Sequence, residues 1–242
     1  MPNAKTINWA TLDRAILYSF FYSLGKEIVG KWLTPDQIQK KISKHIKSTI
    51  PVKVTKAIDG IVKENHVYIG GWYYSVEDKK GKSGICIEFS YNPFDEKIKL
   101  TNYRWRRMSL LFADVLLHEM IHMRQFRARN FKLIPGYQST AESAKERRTQ
   151  TYYGDRDEMG AYAFNIACEM LDRFGYDPTS IKRYMDTNQA NRHKNSYWYK
   201  YLTTFDWNHN HKIICRMKQK IMHQLENAYY GKPFKTTDWL TY

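Results

Sequence analysis

Apolar side chains recur at helical spacing near the start of the chain. Trp9, Leu12, Ile16, Phe20, Leu24 and Ile28 fall on one face of a helix spanning residues 8–30. A second helix carries its own punctuation: Thr34 can cap it, Pro35 suits the first helical position, and Gln37 completes a capping box. It is expected to run to about Ser48 and stop before Pro51. The period then changes to two. Val52–Ile58, stretches within His66–Val76 and Gly84–Tyr91, and the short Lys97–Thr101 run alternate in this way, with turn residues between them at Asp59-Gly60, Lys80-Gly81 and Asn92-Pro93. Three or four strands follow from that pattern.

From about Arg106 the helical period returns. Leu110, Leu111, Val115, Leu116, Leu117, Met120, Ile121 and Phe126 make this segment apolar on most sides, which predicts a helix sandwiched in the core. Pro135 to Gln150 reads as a polar, mobile segment. The next helix is expected from an Asp155 cap to Phe174, closed by Gly175 and Pro178. The remainder looks helical, most clearly from Asn208 to Ala228. The fold class is therefore α+β, a small mixed or antiparallel sheet packed on the long apolar helix. The expected organisation is N-terminal helices over 1–50, a catalytic core over 51–176 and a C-terminal helical extension over 177–242.

Composition sharpens this. The 242 residues carry a net charge of +15, which favours acidic partners, nucleic acid first and anionic membrane second. Cys86, Cys168 and Cys215 are far apart and show no CxxC spacing, so neither a disulfide framework nor a thiolate metal site is expected. The apolar stretch from Ala15 to Leu24 is about half of the ~20 residues that cross a bilayer, and Arg14 and Lys26 flank it. No signal peptide is read at the N-terminus, and the expected location is cytoplasmic, or virion-associated if the chain is of phage or viral origin.

His118-Glu119-Met120-Ile121-His122 matches the HExxH pattern. Four residues on a helix put two side chains on one face a turn apart, where two imidazoles can hold one zinc ion at about 2.0–2.1 Å each. Glu119 projects roughly 100° around the helix, placed to handle a metal-activated water without being a ligand. A third protein ligand is needed. No histidine lies between His122 and His193, so a carboxylate is expected from the first turn of the later helix. Glu158 is the choice, followed by the small residues Gly160, Ala161 and Ala163; Asp157 competes, and Asp155 reads as the cap.

The HExxH motif followed by a glutamate on a later helix resembles the glutamate-type zincins. The strands at Ile85–Phe89 and Lys97–Thr101 ahead of the motif are also similar to SprT-like proteases, although the nearby third histidine of that pattern is missing. The resemblance implies a zincin-like fold and a Zn2+-dependent metallopeptidase cutting a protein or peptide substrate. Zinc would lower the pKa of a bound water to about 7, and Glu119 would take its proton and pass it to the leaving amine. A second group must stabilise the oxyanion. Tyr162, one turn beyond Glu158, is the candidate, with Tyr153 and His193 beside it. Asp114, a turn before His118, is placed either to orient that ligand or to pair with an arginine.

Weaker signals point elsewhere. Tyr197-Trp198-Tyr199-Lys200-Tyr201 interleaves aromatics with a base, as in nucleic-acid stacking or in core packing. His209 and His211 form an HxH pair that suits adventitious metal or a solvated loop. Arg104–Arg107 and Arg147-Arg148 suit an acidic substrate, a lid or plain solvent. The alternative function is a basic nucleic-acid-binding or virion structural protein with a non-catalytic fold of the same kind. Glu119 separates the two, because a site that only binds needs no general base.

Overall fold

Thr34 accepts from the Gln37 backbone N–H while the Gln37 side chain accepts from Thr34, so the capping box at the second helix forms as the sequence predicts. The computed structural model describes residues 14–46, 52–64, 66–82 and 84–229. Trp9, Leu12, and the expected helix end from Ser48 to Pro51 lie outside them. The protein is α+β, and its chain divides into two compact units, residues 1–123 and 124–242.

In the first unit the order is α1 (Arg14–Ser23), α2 (Gly25–Ile28), β1 (Trp32–Leu33), α3 (Pro35–His45), β2 (Val52–Ile58), β3 (Val67–Tyr73), α4 (Ser75–Lys79), β4 (Ile85–Tyr91), β5 (Ile98–Lys99) and most of α5 (Asn102–Ala128). The expected first helix is broken at Leu24. A Cβ at Gly25 would come within 2.6 Å of the fully buried Trp105 ring, so the chain turns where only glycine allows that approach.

The main sheet is mixed, in the order β2-β4-β3, with β2 parallel and β3 antiparallel to β4. Being central, β4 is covered on both faces, and Ile85, Cys86, Ile87 and Phe89 are all buried. Helix α3 lies along β2, where Gln39 donates to the Val54 carbonyl at 2.9 Å and Lys56 pairs with Asp36 at 2.9 Å. β3 lies on α5 through Gly71, which faces Val115 and Glu119. The two-residue strands β1 and β5 pair antiparallel to each other. The second expected strand ends early, at Tyr73, because Ser75, Glu77 and Asp78 begin the short helix α4.

The second unit holds the last turn of α5, then α6 (Ala144–Gly154), α7 (Arg156–Phe174), α8 (Pro178–Asp186), a 3-10 turn (Asn188–Arg192), α9 (Tyr197–Thr204) and α10 (Lys212–Tyr229). Its core is formed by α7 and α10 with Trp198 and Tyr201 from α9 and Tyr184 from α8. Residues 135–150 are not one loose polar segment. Ser143 caps α6, Ser139 is buried and donates to Gln150 at 2.6 Å, and Gln150 donates to the Thr204 carbonyl at 3.1 Å. This helix is anchored by polar side chains, which is why no apolar stripe announces it.

Candidate metal centre

α5 is 27 residues long and buried nearly throughout its middle, residues 112–123, so polar residues there are costly unless partnered. Leu116, Leu117, Met120 and Ile121 are at most 1% exposed. Between them, His118, Glu119 and His122 are buried too, at 8%, 7% and 7% exposed. The i, i+4 spacing puts both imidazoles on one face, with Nε2 facing Nε2 at 3.1 Å and the rings tilted 76° to each other.

Glu119 sits beneath β3, where its Cγ would be 3.3 Å from a Cβ placed on Gly71. The glycine thus lets the strand lie directly on the carboxylate stem. One turn before His118, Asp114 is gripped by Arg14 of α1, at 2.6 Å from Nε and 3.1 Å from Nη2. Of the two partners expected for Asp114, the arginine is present.

Glu158 occupies the first turn of α7, whose start is fixed by the Asp155 side chain accepting from the Asp157 backbone N–H at 2.8 Å. Ligand atoms of His118, His122 and Glu158 all lie within 4.8 Å of one another, and this is the one group of potential metal ligands among the described residues. Asp157, the competing carboxylate, is held instead by Arg129 through two bonds of 2.8 and 2.5 Å.

Tyr162 lies one turn beyond Glu158 in a cluster of rings with Tyr152, Tyr153, Tyr197 and Tyr201. Burial first, then the neighbouring Tyr152 and Tyr153, pushes its phenol far above the ordinary range, so it is a neutral hydroxyl at physiological pH. Tyr153 is raised for the same leading reason, burial. His193 is exposed, and its ring lies 6.0 Å from that of Tyr184.

The remaining sequence signals have structural uses. Trp198 and Tyr201 are fully buried, so the aromatic stripe packs the core. Trp105 is buried as well and donates to the Tyr22 carbonyl at 3.2 Å. Arg147 ties down the Ala141 and Glu142 carbonyls at 2.8 Å each. His209 pairs with Asn188, and His211 stacks on Phe205 at 4.6 Å. All three cysteines are free thiols, and no helix among the described residues is long and apolar enough to cross a membrane.

Sequence reasoning missed Gln125 and Arg129. Gln125 donates to the Asp157 carbonyl at 3.1 Å, so together with Arg129 it secures the turn that carries Glu158. A signal existed: 118, 122, 125 and 129 are polar positions at helical spacing, on one face of the segment. No family model, no curated protein and no solved structure matches the chain.

Proposed function

We propose that the protein is a zinc-dependent peptidase with a zincin-like core, in which His118, His122 and Glu158 hold the metal and Glu119 is the general base. The convergence of those three side chains, distant in sequence and two of them buried, carries the reading. The donor chemistry fits. The two Nε2 atoms lie 3.1 Å apart on one helix face, a pair of nitrogen donors of the kind that would hold zinc. The carboxylate has at most 4.8 Å to bridge. Two imidazoles and one carboxylate are the donor set that a catalytic zinc would take.

Zinc supplies Lewis acidity in such a site, lowering the pKa of a bound water to about 7 and polarising a carbonyl. Glu119, on the same helix but off the histidine face, accepts the proton of the attacking water and returns it to the leaving amine. Tyr162, kept neutral by burial, is a hydrogen-bond donor suited to the oxyanion. Gln125 and Arg129 position Glu158 indirectly through Asp157.

The test is cleavage of an unfolded protein such as reduced casein. Wild type loaded with zinc should cut it, and Glu119→Gln should keep the zinc but lose about 10²–10⁴-fold in rate. Undiminished cleavage by Glu119→Gln, or none by zinc-loaded wild type, would refute the reading.

A further inference from the structure

A cavity of about 1090 Å³ opens within the second unit, walled by the start of α7, the end of α8 and the length of α10. Its charge is lopsided. Arg156, Lys182, Lys212, Arg216, Lys218 and Lys220 line it, against two carboxylates, Asp186 and Glu226, an excess of four positive charges. Lys218 and Asp186 pair at 2.7 Å within it. Burial first, then Arg156, lowers the pKa of Lys220, and Asp157 opposes the shift.

The floor is of another kind. Met159 and Met185 are buried at 4% and 2% exposure, and Met222 is partly buried beside them. Thioether side chains adapt to apolar groups of varied shape. A single strand of nucleic acid would need aromatic faces on which to stack its bases. The one aromatic carbocycle in the wall, Tyr137, has the Lys212 ammonium 5.2 Å from its centroid. The volume exceeds the ~300–1,000 Å³ typical of small-ligand pockets, room for several residues of a chain.

We infer that this cavity docks an acidic, partly apolar segment of a protein partner, with carboxylates on the lysine rim and apolar side chains on the methionine floor. Resting on the peptidase reading, that partner is the substrate, because Arg156 and Met159 bracket Glu158 on the first turn of α7.

The experiment is fluorescence anisotropy on the full chain with a fluorescein-labelled peptide of alternating Glu and Leu, its Lys/Leu counterpart, and labelled oligo(dT). The Glu/Leu peptide should bind in preference to both and weaken as salt rises. The double variant Lys182→Glu/Arg216→Glu, at two exposed positions, should weaken it by at least about tenfold while its circular dichroism and melting stay those of wild type. Equal binding of the Lys/Leu peptide, no effect of charge reversal, or tighter oligo(dT) binding lost in the same variant would overturn the inference. His118→Ala should bind the Glu/Leu peptide as wild type does. A charge-dependent affinity without any cleavage would therefore sink the peptidase reading and leave the docking site standing.

Discussion

Replacing Gly71 by alanine tests how closely β3 lies on the motif helix. The new Cβ would sit 2.5 Å from Val115 Cγ1, 3.0 Å from the Cys86 carbonyl oxygen and 3.3 Å from Glu119 Cγ. Carbon–carbon contacts are comfortable at about 3.5–4.0 Å, so the strand and helix must separate by roughly 1 Å. Overpacking of this sort costs about 1–3 kcal/mol. Alanine also restricts the unfolded chain, which returns about 0.4–1 kcal/mol. The net expectation is a loss of roughly 1–2 kcal/mol, with Glu119 displaced and activity reduced.

The neighbouring glycine is the control. A Cβ at Gly70 meets nothing within 4 Å, because successive strand residues point to opposite faces. Gly70→Ala should therefore be neutral or stabilising by about 0.4–1 kcal/mol and leave activity unchanged. Urea unfolding of both variants reads the difference, and Val115→Ala supplies a cycle. Removing the Val115 methyls should relieve Gly71→Ala, with a coupling of about 0.5–2 kcal/mol. Equal stability of the two glycine variants, or strict additivity with Val115→Ala, would refute the packing described for β3 and α5.

Other expectations follow from single contacts. Thr34→Ala removes the capping box of α3 and should cost about 1 kcal/mol in urea unfolding. Arg129→Met keeps a side chain over the Phe126 ring but strips both bonds from Asp157. With the pair 11% and 14% exposed, the loss should be about 2–3 kcal/mol, below the ~3–5 kcal/mol of a fully buried pair. Zinc affinity should fall about 10–100-fold although no ligand has been changed, read by competition with a chelating dye. Burial raises the phenols of Tyr184 and Tyr201, so the folded protein keeps protons that the unfolded chain loses near the ordinary value of 10.0. Stability should therefore be intact below that pH and fall as pH rises through it, with phenolate absorbance appearing only as the protein unfolds.

Much of this was legible in the sequence where one local rule decides the outcome. Alternation located β2, β3 and β4, and the residues Thr34, Pro35 and Gln37 located the start of α3. Asp155 and Gly175 marked both ends of α7. What escaped depends on contacts far along the chain. The break between α1 and α2 falls beside Gly25, where Trp105, eighty residues later, fills the space a Cβ would need. α6 is held by Ser139, Gln150 and Thr204, which leave no apolar stripe to read. At the site, His118, Glu119 and His122 announce themselves by spacing alone. Glu158 and Asp157 are neighbours of similar chemistry on one helical turn, and only Arg129 tells them apart by occupying Asp157.

The most direct test of the metal centre is zinc content by elemental analysis, on wild type and on His118→Ala, Glu119→Gln and Glu158→Ala. The account predicts about one zinc per chain in wild type and in Glu119→Gln, none in His118→Ala and much less in Glu158→Ala. A wild type without zinc after purification free of chelator, or a Glu158→Ala variant that binds it normally, would contradict the three-ligand site.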